Sequence, residues 1–220
     1  MTLGLVLLTA TALLVLFGAG QRVLDRLRLT DRQALLFIAL IIAGGFLPDI
    51  PVTPLFSFNI GGALIPLVLS IRLWFKADTT AERVRSLIAA AVTGLAVFAL
   101  GRLMPDEPET IVIDPGYMHG LAAGIIGYLF GKSRRGSFIA GVVGVILSSV
   151  ASAVLVWNAG IDQRLTLGGA GSFDVIVISG LLAVLLSELV GEILERVKRG
   201  RRRPVREFKN GEFVRKEHEQ

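Results

Sequence analysis

The chain contains no cysteine and only two histidines, His119 and His218. The first absence excludes disulfides, thiolate catalysis and cysteine metal ligands. The second leaves His119 without a His-x-x-His or His–Glu spacing around it. A metal there would need oxygen ligands drawn from three separate loops, so no metal and no cofactor is expected. No internal repeat is visible, which weighs against a transporter built from inverted halves. Charge is scarce where the chain is most apolar. With 53% hydrophobic residues and a mean hydropathy of +0.67, several long runs carry no charged side chain at all. That excludes an ordinary soluble domain and predicts a polytopic plasma-membrane protein, its 25 glycines suited to close helix packing.

Seven apolar segments are present: Leu3–Gly20, Ala34–Leu47, Ile60–Phe75, Leu87–Met104, Met118–Phe130, Phe138–Ala159 and Val175–Leu194. They lack alternation and exceed strand length, which predicts helices and an all-α transmembrane bundle of about seven. The second and third are separated by Gly44, Gly45, Pro48, Pro51 and Pro54, so they form either two crossings or a re-entrant hairpin. No basic region precedes the first segment and four arginines follow it, the polarity of an anchor and not of a cleaved leader.

Basic residues are almost missing from one set of connections. Of 23 lysines and arginines, 21 fall in the first, third and fifth connections or in the tail from Arg196; only Arg102 and Arg164 do not. The positive-inside rule then predicts an outward N-terminus and a cytoplasmic C-terminus. Residues 1–196 read as the membrane domain and 197–220 as a cytoplasmic basic tail. Within the tail, the Asn-Gly pair of "REFKNGEFVR" is a hairpin signal, although an isolated hairpin is marginal in water. "KRGRRRPVR" is a topology element suited to anionic lipid; a charge run alone does not make a nucleic-acid partner, and none is expected.

The even connections hold the special polar residues: Asp49 and Asn59 in the second, Asp114 and His119 at the fourth, and Asp174 at the end of the sixth. By the charge asymmetry all lie on the extracytoplasmic side, where they would form one polar site. "RVLDRLRLTDRQALLFIALIIAGGFLPDIPV", "NIGGALIP", "DPG" and "LGGAGSFDVIVISGLLAVLLSE" resemble a prokaryotic family of multispanning membrane proteins of unknown function, whose hallmark is a Gly-Gly-Ala-Gly-(Ser/Thr)-Phe-Asp-Gly segment. The resemblance covers most of Leu24–Glu188 and implies a fold but no activity. Val175 stands where that family has glycine, and Ser148 and Ser149 lie near the place of its Gly-Ala-Asp.

Each residue has a structural and a functional reading. Gly168, Gly169 and Gly171 allow tight turns, Ser172 is placed to cap the last helix, and Asp174 then meets the positive end of its dipole. Asn59 is an N-cap beside Gly61 and Gly62. Asp114 opens a Pro-Gly turn, and a turn drawn below the membrane surface must line a cavity or be buried in protein. Three function classes follow: small-solute binding or transport, an intramembrane aspartyl hydrolase needing two carboxylates that share a proton, and a non-enzymatic scaffold or accessory subunit.

Overall fold

In the computed structural model, described for residues 3–17, 27, 29–103, 115–169, 172–201, 206–209 and 212–215, each of the seven apolar segments has a helix among its described residues. The α-helices among the described residues are α1 (Leu3–Leu16), α2 (Asp31–Gly45), α3 (Ile65–Phe75), α4 (Thr80–Leu103), α5 (Pro115–Gly131), α6 (Arg134–Asn158) and α7 (Ser172–Arg201). A π-helical turn, Ile60–Leu64, runs directly into α3, so the two together span the third apolar segment.

Helix ends depart from the apolar runs for local reasons. Thr30 caps α2 by accepting from the Gln33 amide at 3.3 Å, which starts that helix ahead of the first apolar residue. α4 begins at Thr80, a charged stretch before the apolar run, because Thr79 accepts from the Glu82 amide at 3.1 Å. α5 begins at Pro115, so Pro115 and Gly116 are helical and not the turn expected of Asp-Pro-Gly. Proline fits a first helical position because its missing N–H would have no partner there. The added turn gives α5 17 residues, about 26 Å at 1.5 Å per residue.

Contacts divide the chain into two units, Met1–Ser187 and Glu188–Gln220. In the first, the cores are apolar: Val97, Ala123, Val142, Val145 and Ile176 join α4–α7, and Leu8, Ile41 and Val177 join α1, α2 and α7. Small residues set the spacing. A side chain on Gly124 would meet Leu182 of α7 at 2.8 Å, and one on Gly144 would meet Thr93 of α4 at 2.7 Å. In the second unit β4 (Arg206–Lys209) pairs antiparallel with β5 (Glu212–Arg215). Lys209 opposite Glu212 leaves two residues between the strands, the spacing of the Asn-Gly hairpin; Asn210 and Gly211 themselves lie outside the described residues.

Three helical stretches, Thr80–Leu103, Arg134–Asn158 and Phe173–Leu194, are long and apolar enough to cross a membrane. Their outward faces are apolar as well: Leu87, Ile88 and Leu95 on α4, Leu147 and Val150 on α6, and Leu185 on α7 are all exposed. In water such a surface would be a liability.

Candidate functional site

A small sheet ties the second connection to the sixth. β1 (Ile50–Thr53) pairs antiparallel with β2 (Phe56–Phe58), and β2 pairs parallel with β3 (Leu165–Leu167). The Ser57 and Thr166 hydroxyls meet across the parallel pair at 2.8 Å. Strands of three or four residues gain little from β-pairing alone, and the register is fixed further by Asn59. Its amide N–H donates to the Leu167 carbonyl at 2.8 Å. Its side-chain oxygen accepts from the Gly62 amide at 2.9 Å, and its Nδ2 donates to Asp49 Oδ1 at 3.0 Å and to the Leu47 carbonyl at 3.2 Å. Asn59 is buried and Asp49 is exposed, so this pair is a satisfied cap with a carboxylate at its rim.

The glycine motif closes against this cap. Gly168 adopts φ +71°, a conformation that strains residues with a side chain. A Cβ on Gly62 would fall 1.9 Å from the Gly168 carbonyl oxygen, so the two main chains are in direct contact. Gly169 lies beside Asp49, whose Oδ2 is 3.7 Å from where its Cβ would be. Gly171 lies outside the described residues, as does Asp114. Ser172 opens α7 and places Asp174 in its first turn.

Asp174 is buried, 7% exposed, and accepts from the Gly4 amide in the first turn of α1 at 3.3 Å. One carboxylate therefore stands at the positive ends of two helices, α1 and its own. The preceding ring, Phe173, packs on Gly45 of α2. Among the described residues Asp174 hydrogen-bonds neither Asp49 nor Asn59. The residues expected to share one polar site thus fall into a cap (Asp49, Asn59, Gly168, Gly169), a two-helix anchor (Asp174) and a third place occupied by His119.

That third place is a cavity of about 520 Å³ between α4, α5, α6, the chain before β3 and the start of α7. Arg102 and Arg164, the two basic residues of the even connections, both line it. Ser148, Ser149 and Ser152 line it along α6, and His119 from α5. Ser149 returns its hydroxyl to the Val145 carbonyl at 3.0 Å. Ser148 is 8% exposed. The His119 ring abuts Gly101, and its Nε2 also has no hydrogen-bond partner among them. Arg102 lies over the Phe98 ring, 5.7 Å from its centre. Neither arginine pairs with a carboxylate among the described residues, and the described lining holds no Asp or Glu. The lining runs from Val156 to Val145, the midpoint of α6, a depth of about 16 Å along the helix. No group of three or more His, Asp or Glu able to hold a metal ion occurs among the described residues.

The opposite end of the bundle holds a group that counting basic residues passes over. Arg135, 7% exposed, donates to the Lys76 carbonyl and the Asp78 carboxylate and lies 3.4 Å from Glu82 Oε2. Glu82, 8% exposed, also accepts from the Ser133 hydroxyl at 2.8 Å and the Asp78 amide at 3.1 Å. This network joins the third connection to the fifth. The signal for it is the Thr79-x-x-Glu82 capping pattern ahead of an apolar run.

A family model described as "Protein of unknown function (DUF1614)" matches residues 26–186. No curated protein and no solved structure matches the chain.

Proposed function

The chain belongs to the DUF1614 family of proteins of unknown function, and we propose that it is a multi-spanning plasma-membrane protein that binds a small solute in the cavity between α4, α5, α6 and α7. The observation that carries this reading is the depth of a polar lining. Serine side chains line the cavity down to Ser148, within one turn of the midpoint of α6, a helix long and apolar enough to span the bilayer. Polar groups at that depth are costly unless they meet water, protein or a ligand, and a concave site of this volume with a few convergent polar groups suits a small molecule.

The membrane reading is supported by the three long helices and their exposed leucines. The orientation rests on the 21 basic residues in the odd connections and tail, which place those at the cytoplasmic face. The cavity mouth then opens outward. The basic tail would rest on anionic headgroups, at about 1 kcal/mol per basic residue. No observation favours the hydrolase or the scaffold.

Because the chain has no cysteine, single-cysteine variants report one position each. In intact cells a membrane-impermeant thiol reagent should label Ser152→Cys at the cavity and leave Asp78→Cys unlabelled until the membrane is opened. Failure to label Ser152→Cys under either condition would show the cavity to be closed to water and would remove the reading.

A further inference from the structure

The even connections hold two basic residues, far apart in sequence, and both line one cavity. Arg102 lies in the last turn of α4 and Arg164 stands just before β3, more than sixty positions later by their numbers. Every other basic residue of the chain lies where topology alone accounts for it. These two do not, and a guanidinium on the side that the asymmetry otherwise depletes of positive charge needs a local reason. Neither finds one in a carboxylate among the described residues, in contrast to Arg135, which has two.

What surrounds them is suited to an anion. The described lining carries two fixed positive charges and no negative one. Guanidinium groups present several donors in a plane and suit carboxylates and phosphates. Below them, Ser148 lines the cavity on α6, and Ser152 lies one helical turn away on the same face. Hydroxyls donate to an oxyanion without adding charge and accept from the rest of a solute. We infer that the cavity takes an oxyanion, a solute bearing a carboxylate or phosphate group, with Arg102 and Arg164 holding the charged group and Ser148 and Ser152 contacting the portion that reaches inward. This rests on the solute-binding reading above and adds the chemical class. The same chemistry is offered by a free solute and by a phospholipid headgroup.

The full-length Ser152→Cys protein, reconstituted in phosphatidylcholine vesicles, separates the possibilities. The readout is the rate of modification by an anionic and a cationic methanethiosulfonate of similar size. The anionic reagent should react faster, and Arg102→Gln with Arg164→Gln should lower the anionic-to-cationic ratio by about fivefold per arginine, the order expected of a unit charge at a hydrated site. Inorganic phosphate or succinate should slow both reagents in the parent and not in the double arginine variant. If only vesicles containing phosphatidylglycerol give that protection, the oxyanion is a lipid headgroup; if soluble phosphate or succinate gives it in phosphatidylcholine, the oxyanion is a free solute. Normal labelling with a ratio unaffected by the arginines and no protection by any anion would overturn the inference while leaving the solute cavity standing. Loss of labelling altogether would fail the cavity itself. Both arginine side chains are exposed, and an unchanged melting temperature of the double variant confirms that the fold is kept.

Discussion

The two ends of the bundle hold their arginines differently: Arg135 is buried in an ion-paired network, whereas Arg102 and Arg164 are exposed at a cavity. At the end formed by the third and fifth connections, Arg135 and Glu82 are buried and fully partnered: two carboxylates, a carbonyl, a hydroxyl and an amide converge within one network. At the other end, the sheet and the Asn59 cap are equally well satisfied, yet beside them two arginines without a carboxylate partner among the described residues, three serines and a histidine line a cavity. Satisfied polar groups rigidify and specify an arrangement. Polar groups left with room around them are where a ligand finds its interactions. We propose that the Arg135 network is structural and the cavity functional, and each half of that proposal can be broken separately.

The largest effect is expected at the main-chain contact of the sheet end. Gly62→Ala would drive a methyl group into the Gly168 carbonyl, 1.9 Å away, with backbone on both sides. A loss of about 4 kcal/mol or more is expected, in the range reserved for severe steric defects, and is read as failure to purify as a folded species in detergent. Next is the partnered end. Arg135→Gln leaves Glu82 buried without its cation and should cost about 3–5 kcal/mol, seen as a lower thermal midpoint with the cavity labelling of Ser152→Cys unchanged. Asn59→Ala removes the cap of the π-turn and should cost about 1–2 kcal/mol, measured by thermal unfolding. Asp174→Asn keeps a hydrogen-bond acceptor for the Gly4 amide and loses only the charge at two helix starts. It should cost about 1 kcal/mol, within the range for partly buried dipole partners. The smallest stability effect belongs to Arg102→Gln and Arg164→Gln, within about 0.5 kcal/mol as for other exposed substitutions.

Much of this division was legible in the sequence. Apolar runs located all seven α-helices among the described residues, and the third run, Ile60–Phe75, coincides with the π-turn and α3 together. The grouping of even with even and odd with odd connections, read from the basic residues, matches the sheet at one end and the Arg135 network at the other. Asn59 as a cap was also readable, because Asn followed by Ile-Gly-Gly is the chemistry of a helix start. The sheet was not. Its strands have three or four residues, and Pro51 and Pro54 mark the stretch as a loop. The partner of Asp174 was hidden because Gly4 is 170 residues away and carries no side chain to advertise a contact. The cavity escaped for a similar reason. Arg102 and Arg164 enter a charge count only as exceptions to it, and Ser148, Ser149 and Ser152 read as a helix-packing face until α4, α5 and the chain before β3 close around them.

Oxyanion binding in the cavity, separate from the structural role of the Arg135 network, is read from the thermal midpoint of the full-length protein in detergent. It is measured with phosphate or succinate against chloride at equal ionic strength. A ligand that binds only the folded state at 100 times its dissociation constant adds about 2.7 kcal/mol. The parent and Arg135→Gln should both rise with the oxyanion, from different starting midpoints, while the double variant of Arg102→Gln and Arg164→Gln should start at the parent midpoint and not rise. An equal rise in all three proteins would mark a general salt effect, and no rise in any of them would leave the cavity without an anion; either result contradicts the account.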